Sequence, residues 1–201
     1  MDNFFKIRAE KQEHIINAAF KAFGKQGYKK ASVADIAEAA GITKGMITYY
    51  FGSKKNLYLY LAELGNLRLI RATMENIPPG ITDFFGKIKR VMDIQISAVK
   101  EHPALISFVN SIFYETDPEV ADIIEELFTT ELTQFDEYML DESGFSQFKP
   151  GFDPKILCKF IVWANNGFLD ELFECSDQNR DALVAEFYQC LDLMQECFYK
   201  A

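Results

Sequence analysis

The amino-acid sequence predicts an all-α fold of about nine helices, and three of its features lead to this prediction. Apolar residues recur every three or four positions along most of the chain, which is typical of the buried face of a helix. Strict apolar–polar alternation, the pattern of a half-buried strand, is rare. Isolated Gly and Pro residues separate the periodic stretches. Hydrophobic residues make up 49% of the 201-residue chain, so the helices can bury a substantial core.

The first predicted helix runs from about Phe4 to Gln26 and opens an N-terminal three-helix domain, residues 1–53. One stripe of this helix is apolar and comprises Ile15, Ile16, Ala19, Phe20 and Phe23. Gly27 follows at the position where a left-handed residue commonly ends a helix, because glycine has no Cβ to oppose a positive φ.

Two shorter helices complete the N-terminal domain. Ser32 is the predicted N-cap of the second helix, since its hydroxyl can accept a hydrogen bond from an N–H group of the first turn. Gly41 ends that helix, and Thr43 is the predicted N-cap of the third. Phe51, near the end of the third helix, is expected to pack in the core of this domain.

About six further helices are predicted in the second domain, residues 54–201. The breakers between them include Pro78-Pro79, Pro103 and Pro118. Ser53 is the predicted N-cap of the first, and the stretch 141–152 is a predicted loop. The predicted helical ranges are about 53–76, 82–100, 104–114, 118–140, 153–174 and 177–199.

The charge distribution differs sharply between the two ends of the chain. The net charge is −9 overall, yet residues 1–55 contain ten Lys or Arg against five Asp or Glu. This part therefore carries +5 and residues 56–201 carry −14. A basic N-terminal part on an acidic remainder is the asymmetry expected when one end of a protein meets phosphate.

The spacing of three residues indicates a helix-turn-helix unit within the basic part. Ala37 is small enough for two helices to cross at its position, and Gly41 suits a tight turn that needs positive φ. Ile47 supplies an apolar anchor for the helix that follows. In a DNA-binding unit of this kind the second helix enters the major groove. The alternative is an ordinary helical hairpin.

The residues around this unit strengthen the first interpretation. They are Ala18-Ala19-Phe20, Phe23-Gly24, Gly27-Tyr28, Ser32-Val33, Ile36-Ala37, Ala40-Gly41-Ile42-Thr43-Lys44-Gly45, Tyr49-Tyr50-Phe51, Ser53-Lys54-Lys55 and Leu57. Over about residues 10–60 this pattern resembles the tetracycline-repressor (TetR) family of bacterial regulators. The resemblance implies a dimeric transcriptional regulator, usually a repressor, that binds a palindromic operator in double-stranded DNA.

The resemblance also implies which residues contact DNA. They are Ser32, Thr43, Lys44, Gly45, Met46, Thr48, Tyr49, Tyr50 and Lys54. Position 48 is usually Tyr in relatives and is Thr here, and Met46 replaces a smaller or polar residue, so base preference does not carry over. Tyr50 has packing within the protein as its alternative role. Lys55 has exposure to solvent as its alternative to a phosphate contact.

The second domain is unusually aromatic, and a few polar residues interrupt its apolar segments. Such a combination is typical of a cavity for a small apolar or aromatic effector, with plain core packing as the alternative. The predicted lining is Gln95, Phe108, Asn110, Phe113, Phe135, Tyr138 and Trp163. The body charge of −14 favours a neutral or cationic effector.

The last two helices are predicted to form the homodimer interface, which the family builds as a four-helix bundle. The expected interface residues are Ala164, Gly167, Phe168, Leu183, Phe187, Leu191 and Met194. A dimer is also required because one helix-turn-helix domain alone buries too little surface for tight, specific binding.

Other classes of protein are not indicated. No apolar run approaches the ~20 residues of a membrane-spanning helix and no signal peptide is evident, so a cytoplasmic protein without membrane contact is expected. The four cysteines form no Cys-x-x-Cys pair and are expected to be buried and reduced, with a metal or redox site as the alternative. With two histidines and no catalytic motif, neither enzymatic activity nor a cofactor or metal is predicted. A helical adaptor that binds only protein is the alternative function.

Overall fold

The computed structural model describes residues 1–75, 80–81, 83–112, 114–127, 138–139, 141–175 and 177–200. Over these ranges the regular secondary structure is helical, apart from an isolated bridge between Phe148 and Tyr199. The prediction of an all-α fold is therefore confirmed.

The helices fall close to the predicted ranges. They are α1 (Ala9–Lys30), α2 (Val33–Ala39), α3 (Lys44–Phe51), α4 (Lys54–Glu75), α5 (Phe84–Glu101), α6 (Pro103–Ile112), α7 (121–127 in the described part), α8 (Pro154–Glu174) and α9 (Asp177–Phe198). A short 3-10 helix, Glu142–Gln147, lies in the stretch predicted to be a loop. The predicted break at Pro78-Pro79 lies outside the described residues, as does the predicted helix beyond residue 127 apart from residues 138 and 139, which are helical.

The first helix differs from its prediction at both ends. It begins at Ala9, because residues 1–8 form turns that place Phe4 in the core. Gly27 has the expected positive φ, 69°, and the helical path kinks there before continuing to Lys30. The left-handed conformation of Gly27 was predicted correctly, but the chain resumes a helical turn after it.

The chain forms two compact units. Unit 1 comprises Met1–Arg71 and Glu101–Thr129, and unit 2 comprises Ala72–Lys100 and Thr130–Ala201. The N-terminal three-helix domain therefore shares unit 1 with most of α4 and with α6. The predicted functional boundary at residues 53 and 54 stays a prediction.

The core of unit 1 is largely aromatic. The ring of Phe108 on α6 lies 5.1 Å from that of Phe20 and 5.4 Å from that of Tyr58, and all three side chains are buried. At Gly24 the backbones of α1 and α6 come so close that a Cβ there would lie 2.9 Å from the backbone nitrogen of Phe108. This close packing fixes α6 against the first helix of the N-terminal domain.

Candidate nucleic-acid interface

The helix-turn-helix has the geometry that its sequence spacing predicts. Ala37 and Ile47 are 2% and 1% exposed, so the crossing point and the anchor are both buried. Gly41 has φ 64°, and the next N–H, of Ile42, donates to the carbonyl of Ala37 at 2.9 Å. Ser32 caps α2 by accepting a hydrogen bond from the N–H of Ala34 at 3.1 Å. These contacts hold α3 at a fixed angle to α2.

One face of α3 is free for a partner. Lys44, Gly45 and Thr48 are exposed, and the Tyr49 ring is 65% exposed although it is a large hydrophobic group. Thr43 occupies the N-cap position and is exposed, but its hydroxyl makes no capping hydrogen bond. The side chain of Met46 is only half-buried. The hydroxyl of Thr48 donates weakly to the carbonyl of Lys44 at 3.4 Å, which leaves its methyl group available to solvent.

Tyr50, next to Tyr49 on α3, points into the protein. It is 5% exposed, and its ring packs 5.8 Å from that of Phe4 and 5.6 Å from that of Tyr49. Phe51 is 3% exposed, as predicted for a core residue. The burial of Tyr50 favours its alternative role, packing within the protein, over a direct contact with DNA.

Lys54 makes contacts that the sequence does not reveal. Its ammonium group donates to the carbonyls of Lys29 at 3.3 Å and Ala31 at 3.2 Å, which are free because α1 ends there. The same group lies 4.5 Å from the centre of the Tyr28 ring. Lys54 therefore binds the end of α1 within the protein, with one N–H bond left for a phosphate.

A carboxylate ties this region to the chain beyond α6. Glu115 accepts hydrogen bonds from the backbone N–H groups of Tyr28 and Asp117, both at 2.9 Å, and from the Tyr58 hydroxyl at 3.4 Å. Burial, and then the negative charge of Glu115, raise the pKa of the Tyr58 hydroxyl far above its ordinary value. Through Glu115, the backbone that follows the kink at Gly27 is connected to α4 and to the turn after α6.

The residues predicted to line an effector cavity are divided between the two units. Phe108 and Asn110 are buried in unit 1, where the contacts of Phe108 are those of a core residue. Trp163 is 63% exposed on α8, which does not suit an enclosed cavity within one chain. Phe113 and Phe135 lie outside the described residues.

The remaining two predicted lining residues, Gln95 and Tyr138, belong to unit 2. Gln95 accepts a hydrogen bond from the Asn165 amide nitrogen at 3.1 Å. The amide oxygen of Asn165 and the hydroxyl of Tyr138 are both buried without a hydrogen-bond partner among the described residues. Such buried, unsatisfied polar atoms are rare in proteins, because each costs free energy until a partner is supplied.

The predicted dimer residues are divided between two environments. Phe168 is buried and stacks on the Phe187 ring at 4.2 Å, and Leu191 is 2% exposed. The Phe168–Phe187 pair joins α8 to α9 within one chain, because the same apolar spacing serves internal packing as well as a dimer. Leu183 and Met194 are half-buried. Ala164 and Gly167 are exposed, as an interface between chains requires.

An exposed apolar stripe on α8 was missed by the sequence analysis. Ile156, Phe160 and Trp163 are 71%, 51% and 63% exposed, and they continue along the helix to Ala164 and Gly167. We call these five residues the α8 stripe. Residues three or four apart share one helix face, and α8 is apolar on its buried face too. The sequence signal that could have revealed the α8 stripe is that apolar residues occur on all sides of this helix, so that the buried face cannot cover them all.

Three further predictions concern cysteines, metals and membranes. Cys158 is buried as expected, but Cys190 and Cys197 are exposed free thiols, so the prediction of four buried cysteines is wrong. Among the residues that the structure describes, no group of His, Cys, Asp and Glu is placed to hold a metal ion. Within the same residues, the helices are too short or too polar to cross a membrane.

Comparison with known sequences places the basic domain in one family. The sequence model of "Bacterial regulatory proteins, tetR family" matches residues 15–61. The transcriptional regulator AcrR of Shigella flexneri is 33% identical over 66 residues, which are 33% of this chain and 31% of AcrR. The match thus spans about a third of that relative. IcaR of Staphylococcus aureus, a negative transcriptional regulator of a biofilm operon, is 21% identical over 90% of this chain and 97% of its own.

Solved structures resemble the whole chain. A TetR family regulator from Chloroflexus aurantiacus has a TM-score of 0.81 at 20% identity, covering 100% of this chain and 99% of its own. FadR of Bacillus subtilis, solved in complex with stearoyl-CoA, has a TM-score of 0.66 at 23% identity over 90% of this chain and 96% of its own. The helix-turn-helix, the family match and this shared fold agree: the N-terminal domain, over residues 15–61, belongs to the tetR family of bacterial regulatory proteins, and the whole chain has the fold of solved tetR family regulators.

Proposed function

We propose that the protein is a dimeric repressor that binds a palindromic operator in cytoplasmic DNA and releases it when a small apolar or aromatic molecule binds. The observation that carries the DNA-binding part is the exposed face of α3, where Lys44, Thr48 and Tyr49 project from a helix anchored by buried Ile47. Lys44 supplies charge for a phosphate, and Thr48 and Tyr49 supply hydroxyl and apolar groups for base edges.

A salt titration with two variants tests this assignment. Lys44→Ala should weaken binding to every duplex and reduce the slope of log K against log salt by about one per lost contact. Thr48→Ala should change the preferred sequence and leave the slope unchanged. A DNA affinity that does not change with salt concentration, or that is the same for Lys44→Ala and the unmodified chain, would favour a protein-binding adaptor.

The dimer is proposed to form through the α8 stripe. Exposed Ile156, Phe160 and Trp163 make a continuous apolar surface, and single soluble chains rarely leave such a surface in water. Ala164 and Gly167 at its end allow the helix of a second copy to approach closely. The two-fold symmetry of such a dimer matches a palindromic operator.

The effector is proposed to bind in unit 2. The support is that two polar atoms of unit 2, the Tyr138 hydroxyl and the Asn165 amide oxygen, are buried without a hydrogen-bond partner among the described residues. A ligand with an acceptor group satisfies the first, and one with a donor group satisfies the second. The fold similarity to FadR, which was solved with a ligand that carries a long alkyl chain, agrees with an apolar effector.

Two tyrosine variants test the effector proposal. Tyr138→Phe removes an unpartnered hydroxyl, so it should not destabilise the free protein but should weaken ligand binding. Tyr188→Phe is the control, because that hydroxyl already donates within the chain to Asp93. A thermal-shift screen of uncharged aromatic and alkyl compounds provides the measurement. If a compound raises the melting temperature equally in both variants, the effector does not bind at Tyr138.

Release of DNA is proposed to run through α4. This helix begins at Lys54 in unit 1, and its last residues, from Ala72 onward, belong to unit 2. Its 22 residues span about 33 Å. A ligand that tilts α4 would change the separation of the two recognition helices. To reduce operator occupancy a hundredfold, the ligand must favour the released state by about 2.7 kcal/mol.

A further inference from the structure

The N-terminal segment, residues 1–8, is folded onto the DNA-binding domain. Its anchor is Phe4, which is 0% exposed and lies with its ring 4.7 Å from that of Phe51, at the end of α3. Ile7 also packs against this core. These residues precede the stretch that matches the family, residues 15–61.

Hydrogen bonds keep the segment in this shape. The N–H of Phe4 donates to the carbonyl of Met1 at 2.9 Å, and the side-chain amide of Gln12 donates to the carbonyl of Ile7 at the same distance. The carbonyl of Arg8 accepts the N–H of Lys11 at 2.9 Å as α1 begins. The backbone that carries Lys6 and Arg8 is therefore fixed before any DNA arrives.

The segment is two-sided. Phe4 and Ile7 point into the protein, whereas Phe5, Lys6 and Arg8 are exposed. Two cations thus lie on the outer side of a segment whose inner side is packed on α3. Their long side chains keep the charged group in water and free for an anion.

The segment packs against buried Tyr50, the neighbour of exposed Tyr49 on α3. The Phe4 ring contacts that of Tyr50 at 5.8 Å, and Tyr50 in turn contacts the exposed ring of Tyr49 at 5.6 Å. With a major groove about 12 Å wide, a helix seated in it has the sugar-phosphate backbone about 6 Å to each side. The extended side chains of Lys6 and Arg8 can span that distance.

From this geometry we propose that Lys6 and Arg8 form a second DNA contact, to the phosphates that border the groove occupied by α3. The inference rests on the proposed operator binding. Phosphate contacts fix the position of a protein on the duplex and carry no base sequence themselves. The N-terminal segment therefore adds affinity and sets how deeply α3 sits, while α3 reads the bases.

The test compares two double variants that lose the same charge. One is Lys6→Ala with Arg8→Ala. The control is Lys21→Ala with Lys25→Ala, which removes two exposed lysines from α1. Lys21 lies twelve residues, or about 18 Å, along the helix from Ala9. Binding is measured by fluorescence anisotropy with a random-sequence duplex pool over a range of salt concentrations, with Lys44→Ala as the reference.

Lys6→Ala with Arg8→Ala should lower affinity by about tenfold per lost contact at 0.1 M salt and flatten the salt slope by about one per contact. The control should change neither by more than a fraction of that. Equal effects of the two double variants would mean a general charge effect and would overturn the proposal. If the unmodified chain binds no DNA, or if Lys44→Ala leaves its affinity unchanged, the proposed function itself is wrong. That result differs from one in which only Lys6→Ala with Arg8→Ala has no effect.

Discussion

At the scale of single residues, Lys54 shows how one cation can be committed within the protein. Its ammonium group donates hydrogen bonds to two free backbone carbonyls at the end of α1, and its charge lies over the Tyr28 ring. Lys54→Ala should therefore lower the free energy of unfolding by about 1–3 kcal/mol. Lys55→Ala, the neighbouring control, should change it by less than about 0.5 kcal/mol. Urea denaturation measures both free energies of unfolding. Equal losses in the two variants would show that Lys54 has no special role in stability.

The raised pKa of the Tyr58 hydroxyl predicts how stability changes at alkaline pH. Burial and the nearby carboxylate of Glu115 hold the pKa of its hydroxyl above the ordinary 10.0. The unfolded chain ionises near pH 10 and the folded chain does not, so stability falls as pH rises above that value. Tyr58→Phe should reduce this loss between about pH 9 and about pH 11. The loss should not vanish, because burial also raises the pKa of Tyr28. Identical pH profiles for the variant and the parent would contradict the account.

At the scale of elements, the crossing of α1 and α6 depends on Gly24. A Cβ there would lie 2.8 Å from the Ser107 hydroxyl and 2.9 Å from the Phe108 backbone nitrogen, and the backbone cannot move aside cheaply. Gly24→Ala should therefore cost about 1–3 kcal/mol, despite the better helix propensity of alanine.

Gly45 provides the matched control for this crossing. It is also a helical glycine of unit 1, but an added Cβ would find its nearest neighbour, the Thr43 hydroxyl, at 3.8 Å. Gly45→Ala should leave stability unchanged or raise it by about 0.5–1 kcal/mol. Thermal unfolding distinguishes the two variants, and a stable Gly24→Ala protein would show that the helices can separate freely.

At the scale of the whole molecule, the α8 stripe makes a prediction about assembly. Phe160→Glu should leave each chain folded, since that ring is half-exposed already, but it places a charge opposite its own symmetry mate. Sedimentation should then show monomers with weakened DNA binding. Phe187→Ala, which removes the ring stacked on Phe168, should instead lower stability and keep the dimer. A Phe160→Glu protein that stays dimeric at micromolar concentration would rule out this interface.

The N-terminal domain could be predicted closely because its determinants are local. The turn at Gly41, the cap at Ser32 and the anchor at Ile47 each depend on neighbours a few residues away in sequence. Lys54 could not be predicted as a helix cap, because its partners at Lys29 and Ala31 lie more than twenty residues earlier.

The second unit was harder to predict, because hydrophobic periodicity does not say which partner covers an apolar face. Phe187, predicted at the interface with a second copy, also stacks on Phe168 within the chain, whereas Trp163, predicted to line a cavity, is exposed. Both faces of α8 are apolar, and only the positions of the neighbouring helices show which one is covered. Phe108, also predicted to line the cavity, packs in the core of unit 1.

Selection of DNA from a random duplex pool tests the central claim most directly. The unmodified chain should enrich a palindrome whose half-sites are about one helical turn apart or more, as two α3 helices related by two-fold symmetry require. The Thr48→Ala chain, selected in parallel, should enrich a palindrome with the same spacing and different bases at its contacted positions. Enrichment of no sequence, or of single half-sites without symmetry, would contradict the assignment of this protein as a dimeric operator-binding repressor.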